Sequence, residues 1–297
     1  MGVEKKIRIS VIMGVYNQWN REALRDAVIS ILNQTFSDFE FIIYDDGSDA
    51  EVAMYIKELK ALDERIVLLG KEENHGLAFS LNACIAAARG EYVARMDADD
   101  IALPERLQVQ YEFMEQHREY DWCGCNAELF DEDGVWGNRK MPQKPTEQEY
   151  LPYSPFIHPT VMYRRRLFEK SEGYQVSPET LRCEDYEIFM RLYQQGYRGY
   201  NLQQTLFRYR EDKSSFRKRK FKYRLQEARL RYRNFKAMQL LPEAWPYVIR
   251  PIIGGLIPVP VVAWMKRKES EYKHEPELQR EPKNTILQTG LAEKTGI

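Results

Sequence analysis

Three carboxylates, Asp97, Asp99 and Asp100, follow a short apolar run, Tyr92 to Met96, within G-E-Y-V-A-R-M-D-A-D-D-I-A-L-P (Gly90 to Pro104). Oxygen ligands of this kind suit hard divalent cations, and Mg²⁺ is often held by one or two carboxylates plus substrate phosphates. In an extended segment, side chains two apart point the same way. Asp97 and Asp99 would therefore converge on one object just past a strand end. The competing reading is a solvated acidic turn. A second acidic pair, Asp45-Asp46, precedes Gly47-Ser48, residue types that also favour a plain turn. A third, Glu184-Asp185, opens a helical pattern carrying Ile188, Phe189 and Leu192, where acids stabilise a first turn through the helix dipole and unpaired amides.

The elements that must position these groups alternate in type. Ile7 to Met13 is an apolar run broken only by Arg8 and Ser10, as expected of a strand inside a sheet, and it leads into Gly14-Val15-Tyr16-Asn17. Leu24, Ala27, Val28, Ile31 and Leu32 fall at helical spacing. Phe39 to Tyr44 predicts a second strand, Glu51 to Leu62 a helix, Ile66 to Leu69 a strand, and Leu77 to Ala88 a helix after Asn74-His75-Gly76. This order predicts a doubly wound, mostly parallel sheet. In open parallel sheets ligands bind beyond the carboxyl ends of the strands. Tyr16 and Asn17, Asp45 and Asp46, and Asp97 and Asp99 all belong to such ends. Neither a dinucleotide-binding glycine motif nor a P-loop follows the first strand. A phosphate-bearing ligand met by carboxylates rather than glycine amides needs a bridging cation, which points to a nucleotide diphosphate held through Mn²⁺ or Mg²⁺.

At this stage V-I-M-G-V-Y-N (Val11 to Asn17), D-D-G-S (Asp45 to Ser48), N-H-G-L-A-F-S-L-N (Asn74 to Asn82), A-R-G-E-Y-V-A-R-M-D-A-D-D (Ala88 to Asp100), H-P-T-V-M-Y-R-R (His158 to Arg165) and C-E-D-Y-E-I-F-M-R-L (Cys183 to Leu192) can be taken together. In that order the chain resembles the family 2 glycosyltransferases over residues 7 to 212. The resemblance implies the GT-A fold, to which the residues past 212 add a helical C-terminal extension, and transfer from a nucleotide-diphosphate sugar, most commonly a UDP-sugar, to a glycan or lipid-linked acceptor. It implies that Asp46 contacts the nucleotide base, that Val15 and Tyr16 line the base pocket beside Asn17, and that Asp99 is the metal ligand, with Asp97 near ribose or metal. Asn74, Gly76 and Asn82 are either functional contacts, with Asn74 and Gly76 on the donor, or capping and turn residues. Inverting transfer needs a base within hydrogen-bond reach of the acceptor hydroxyl. The resemblance implies Asp185 for that role, with Glu184 contacting or orienting acceptor. Adjacent carboxylates raise one another's pKa while a helix N-terminus lowers it, and the sequence leaves that balance open. His158, before a proline, is read either as structural or as a substrate contact.

Past Asp100 the pattern is less regular. Pro104 to His117 predicts a helix, Asp121 to Phe130 a strand, and Asp131-Glu132-Asp133-Gly134 a hairpin turn. Met141 to Pro159 holds five prolines and reads as a functional or mobile loop with acceptor contacts. Residues 1–100 are read as the nucleotide-sugar half, 101–212 as the acceptor half, and 213–297 as an extension. From Leu206 to Lys236 there are 13 Lys or Arg against 3 acids, and Phe221, Leu225, Ala228, Tyr232 and Phe235 share one helical face. This predicts a basic amphipathic helix. Trp245 to Met265 is apolar with four prolines, Gly254-Gly255 and Arg250, flanked by tryptophans and followed by Lys266-Arg267-Lys268. It suits an interfacial segment better than a straight span. The alternative is a helix packed on the catalytic domain.

A formal net charge of −1 gives no global reason to expect nucleic acid as a partner. Met1 to Lys6 lead into a strand without a signal-length apolar stretch, and four cysteines are too few for a disulfide framework. A cytoplasmic protein, peripheral on the inner face of the membrane, with reduced thiols is therefore expected. Two rival functions are weighed. A nucleotidyltransferase of sugar phosphates would want a Gly-rich, Arg-containing loop after the first strand. A non-catalytic membrane or nucleic-acid binding module would not need the acidic set.

Overall fold

Along β1 (Ile9–Val15), Ile9, Val11, Met13 and Val15 are buried in one hydrophobic core and Ile12 in another. The two-residue period of a strand thus separates two faces. In the computed structural model, which describes residues 6–211 and 221–256, β2 (Phe39–Asp46) divides likewise. Phe39, Phe41 and Ile43 join the first core, and Ile42 and Tyr44 the second. The first core is closed by α1 (Arg21–Leu32), through Leu24, Ala27, Val28 and Ile31, and by α2 (Ala50–Lys60), through Val52, Ile56 and Leu59. After β3 (Ile66–Lys71), helix α3 (Leu77–Ala87) brings Leu81 and Cys84 to the second core. Strand β4 (Tyr92–Arg95) then runs parallel to β1, with Ile12 opposite Arg95, while Val15 stands opposite Asp45 on β2. The doubly wound arrangement expected from the alternation is present.

Beyond β4 the chain adds β5 (Ile101–Ala102), α4 (Arg106–Gln116), β6 (Trp122–Asp131), β7 (Gly134–Arg139), β8 (Met162–Arg164), α5 (Arg166–Lys170), α6 (Glu184–Gln194) and β9 (Gly199–Arg210). Helices α7 (Phe221–Ala237) and α8 (Trp245–Leu256) follow. The strand order is β3-β2-β1-β4-β8-β6-β9-β5, with β7 on β6. Pairs among β1 to β4 are parallel, as is β6–β9; β4–β8, β6–β8, β6–β7 and β5–β9 are antiparallel. The expected hairpin at Asp131 to Gly134 joins β6 to β7. All four cysteines are buried and unpaired with one another.

Four expectations need correcting. Residues 206–210 lie in β9, not in a basic helix, because their arginines serve the sheet: Arg208 pairs with Glu128 across the strands at 2.8 Å, and Arg210 lies over the Phe130 ring. A charge run counts cations without reading period. The five-proline segment is anchored rather than loose. The Asn201 amide donates to the carbonyls of Pro142 and Pro155, and Tyr150, Phe156 and Ile157 are buried. The inward face of α7 is rotated from the expected one. Ala228, Leu230, Arg231, Asn234 and Phe235 point inward, while Phe221, Leu225 and Tyr232 are exposed. Arg231 causes the rotation, donating to the Leu151 carbonyl at 2.7 Å and pairing with Glu227 at 2.9 Å. Finally, Ala98 and Asp99 form a turn, so Asp97 and Asp99 are not two alternate positions of one extended strand. Residues 212–220 and 257–297, including the Lys266–Lys268 run, lie outside the described residues.

Gly199 shows how closely β9 meets β6. A Cβ there would stand 2.1 Å from Trp122 Nε1 and 2.6 Å from Phe156 Cζ. Gly199→Ala is expected to destabilise the protein by ~2 kcal/mol or more, read as a lower urea midpoint. Gly254→Ala, helical with nothing within 4 Å of its Cβ, is expected to be neutral or slightly stabilising; equal midpoints for the two variants would contradict this packing.

Candidate functional site

The loops after β1 and β2 are stitched together by side chains. Asn17, with φ 47°, donates its backbone N–H to Ser48 Oγ (3.0 Å) and accepts from the Asp49 N–H through its side-chain oxygen (2.8 Å). Asp45 accepts from the Ser48 N–H at 3.0 Å, closing a turn through its own side chain. Asp46 is buried, and its two carboxylate oxygens gather the next loop: His75 N–H donates to one at 3.0 Å, and Gly76 N–H (2.7 Å) and the Asn74 amide (3.1 Å) to the other. Gly76 has φ 90°, a conformation that glycine adopts without strain, and it starts α3. The expected residues Asn17, Asp46, Asn74 and Gly76 therefore form one hydrogen-bonded platform. Tyr16 extends from it, 54% exposed, while Val15 is 1% exposed and can offer a ligand only its backbone.

At the end of β4 stands Arg95, 1% exposed. Its guanidinium pairs with Asp97 at 2.6 Å and donates to the Met96 carbonyl. A second buried cation, Arg106, donates to the Arg95 carbonyl at 2.7 Å and rests on the Phe207 ring; burial lowers its pKa to about 10. The turn after Asp97 is held from β9, where the Arg210 N–H donates to Asp100 at 2.8 Å and its guanidinium to the Asp99 carbonyl at 2.9 Å. Burial, with Asp97 and Asp99 beside it, raises the pKa of Asp100, whose second oxygen has no hydrogen-bond partner among the described residues.

Among the described residues no group of three or more His, Cys, Asp or Glu side chains is placed to hold a metal alone. Two carboxylates nonetheless suffice for a cation that also takes phosphate oxygens and water. Asp97 and Asp99, neither of them fully buried, with one oxygen of the buried Asp100 unpartnered beside them among the described residues, fit that demand.

Glu184 and Asp185 open α6 as expected. They follow Arg182, whose φ of 70° is costly for a side chain with a Cβ. Burial and the neighbouring Glu184 raise Asp185 to about 7, outweighing the backbone amides of the helix start. Burial also raises Glu184, one oxygen of which is unpartnered among the described residues. The segment leading to α6 is clamped by Asn82, which accepts from the Tyr174 N–H (2.9 Å) and donates to its carbonyl (2.8 Å). Arg191, paired with buried Glu187 at 2.8 Å, donates to the Gly173 carbonyl. His158 is buried beneath this segment, with Nε2 2.8 Å from the Tyr174 hydroxyl. Burial and Arg95 hold its pKa well below the usual imidazole value, so it is neutral.

Arg95 links the two halves. Its charge acts on Asp97 and Tyr174, and at Glu184 on α6 it opposes in small part the upward shift that burial imposes. Sequence reasoning passed over Arg95, Arg210 and Tyr174, whereas Asn82, weighed with Asn74 and Gly76, proves to be a clamp on Tyr174. Only Arg95 carries a signal, a lone cation two residues before Asp97 in an otherwise apolar strand.

Residues 10–171 match the model of the family described as Glycosyl transferase family 2. The chain is 36% identical over 275 residues to EpsE of Bacillus subtilis (strain 168), whose own assignment as a glycosyltransferase is inferred; the match covers 90% of this chain and 98% of EpsE. It is 34% identical over 215 residues to the O-antigen biosynthesis glycosyltransferase WbnJ of Escherichia coli, covering 71% and 82% of the two chains. Among solved structures, residues 1–349 of TarS from S. aureus in complex with UDP-GlcNAc superpose with a TM-score of 0.62 at 18% identity, covering 82% of this chain and 73% of that one.

The raised pKa of Asp185 has a stability consequence. Asp185 binds its proton more tightly in the folded than in the unfolded chain, whose ordinary value is 3.8. Its contribution to stability is therefore complete below that value and lost as pH rises through about 7. Asp185→Asn is expected to be more stable than the native protein at pH 8, by ~1–3 kcal/mol, with the advantage shrinking as pH falls towards 4. Thermal unfolding at both pH values tests this; an equal difference at each would show that burial does not perturb the group.

Proposed function

The chain belongs to glycosyl transferase family 2 and is a glycosyltransferase, and from that premise we propose a metal-dependent, inverting transfer from a nucleotide-diphosphate sugar, a UDP-sugar in the first instance, to a hydroxyl of a glycan or lipid-linked acceptor in surface polysaccharide synthesis. The observation that supports this most is the shared electrostatic neighbourhood of Arg95, which is paired with Asp97 at 2.6 Å and felt by Glu184 beside Asp185. In this reading Asp97 on the donor side and Glu184 on the acceptor side lie in the field of one buried cation. The O-antigen relative and the UDP-GlcNAc complex of the structural neighbour support the acceptor and donor classes.

In this reading residues 1–100 form the donor half and 101–212 the acceptor half of one catalytic domain. The platform built on Asp46 receives the nucleotide base, with Tyr16 at its edge and Asn17, Asn74 and Gly76 keeping the loops in place. Asp99 and Asp97 would hold a divalent cation, which when bound offsets negative charge on the departing nucleoside diphosphate. Asp185 takes the proton of the acceptor hydroxyl as that oxygen attacks the anomeric carbon, and the bond to the diphosphate breaks with its electron pair leaving on the nucleotide. A base with a pKa near 7 balances availability against basicity. Glu184 orients the acceptor. His158, also assigned to the acceptor side, bears on it through Tyr174. A nucleotidyltransferase is disfavoured because Gly14-Val15-Tyr16-Asn17 lacks the glycines and arginine of such a loop.

The test is a hydrolysis and transfer screen over UDP- and GDP-sugars with and without Mn²⁺. Asp185→Asn is expected to bind donor normally and lose transfer by about 10²–10⁴-fold. Asp99→Ala should lose Mn²⁺-dependent donor binding, read by calorimetry as well as by turnover. In the native enzyme kcat/KM should fall about tenfold per pH unit below 7. Full transfer by Asp185→Asn would reject that residue as the base, and donor binding indifferent to Mn²⁺ would reject the metal.

A further inference from the structure

Helices α7 and α8 carry a surface that the transfer chemistry does not use. On α8, Trp245, Ile249, Ile253 and Leu256 are 44%, 43%, 57% and 72% exposed. They recur at steps of four, four and three residues, so they form one stripe along the helix. Ala244, Val248 and Pro251 face inward on the other side. The partner helix continues the stripe. A Cβ on Gly255 would lie 3.2 Å from Phe221, itself 52% exposed, and Tyr232 packs its ring 5.5 Å from Trp245. The two helices are therefore antiparallel neighbours whose apolar exposed residues adjoin.

The flanks of this stripe are cationic. Residues 221 to 256 contain seven Lys or Arg against two Glu. Of the seven, Lys222, Arg229, Arg233, Lys236 and Arg250 are exposed. One of the two acids, Glu227, is already engaged with Arg231 at 2.9 Å. An apolar stripe bordered by cations is the signature of a helix lying in the interface of an anionic bilayer. A second copy of the chain would bring the same positive flanks against each other across a two-fold axis, and a nucleic acid would leave four large apolar side chains unmatched. No helix among the described residues is long and apolar enough to cross a membrane.

The placement of this hairpin carries the argument further. Arg231 donates to the carbonyls of Leu151 (2.7 Å) and Pro152 (3.2 Å), and Arg250 reaches Pro152 at 3.3 Å. Gln194 at the end of α6 donates to Asn234 on α7 at 2.8 Å, and Gln226 of α7 to the carbonyl of Pro178 at 2.8 Å. The hairpin is thus bolted to the proline-rich segment and to the helix that begins with Glu184-Asp185. Tyr153 and Leu181, both exposed, lie on these same segments.

We infer that the α7–α8 hairpin is a docking surface for an anionic lipid bilayer, which holds the Glu184-Asp185 end of the protein beside the membrane so that a lipid-linked acceptor reaches Asp185 from the bilayer side. The orientation of the acceptor rests on the transferase reading above; the lipid surface does not.

The test uses the full chain with vesicles of phosphatidylglycerol and phosphatidylcholine in equal parts, and with vesicles of phosphatidylcholine alone. The native protein is expected to co-sediment with the first at least about tenfold more strongly than with the second. Ile249→Asp/Ile253→Asp/Leu256→Asp should lose binding to the anionic vesicles by at least about tenfold. Lys222→Glu/Lys236→Glu, which leaves the apolar stripe intact, should also weaken it. Nucleotide-sugar hydrolysis in solution, measured on the same samples, should be unchanged in both variants, which also reports that they fold. Equal binding to both vesicle types, undiminished binding by the triple aspartate variant, or a native dimer that this variant converts to a monomer would overturn the proposal. Hydrolysis without vesicle binding overturns the surface alone. Vesicle binding without hydrolysis of any nucleotide sugar supports the surface and overturns the transferase chemistry instead.

Discussion

A guanidinium almost without access to water sits at the end of the central strand. Burying a cation carries a desolvation penalty of several kcal/mol, and Arg95 meets it with Asp97 at 2.6 Å and the Met96 carbonyl. Arg106 imposes a similar demand one layer below and answers it with the Arg95 carbonyl, Gln110 and the face of Phe207. The acidic turn at Asp97 to Asp100 is therefore structural as well as a candidate ligand set, since Asp97 lets Arg95 stay inside the sheet. The same buried charge reaches Glu184.

Around that centre the loops are prepared before any ligand arrives. Asp46 already holds the Asn74–Gly76 turn, and Asn17 already ties the first loop to the second. Groups fixed in this way need little reordering when a substrate binds, which is how positioned dipoles and carboxylates gain their effect. Two residues with a side chain adopt positive φ close to the candidate site, Asn17 after β1 and Arg182 just before Glu184. Such conformations persist only where the surroundings over-determine them. Here the surroundings are the Ser48 and Asp49 contacts for Asn17. For the segment that ends in Arg182 they are the Asn82 clamp on Tyr174 and the Gln226 contact to Pro178.

The start of α6 depends on parts far apart in the chain. Helix α6 is braced by Arg191 against the Gly173 carbonyl, by Asn82 through Tyr174, and by α7 through Gln194. The C-terminal hairpin thus belongs to the support of the site rather than to an appended tail.

Much of the fold was legible in the sequence, because strands and helices announce themselves by local period. The alternation along residues 9–15 and 39–46, the helices at 21–32 and 77–87, and the hairpin at 131–134 follow from short-range pattern. So does the gathering of Tyr16, Asp46 and Asp97 on one sheet edge, since parallel strands must all end on the same side. Tertiary structure decided what depends on partners distant in sequence. It put residues 206–210 in a strand against β6, turned α7 about Arg231, and buried His158 against Tyr174. It also set the buried Arg95 against Asp97. The physical reason is that period and propensity are properties of neighbours along the chain, whereas the placement of a buried charge is settled by which opposite charge the completed fold brings within reach.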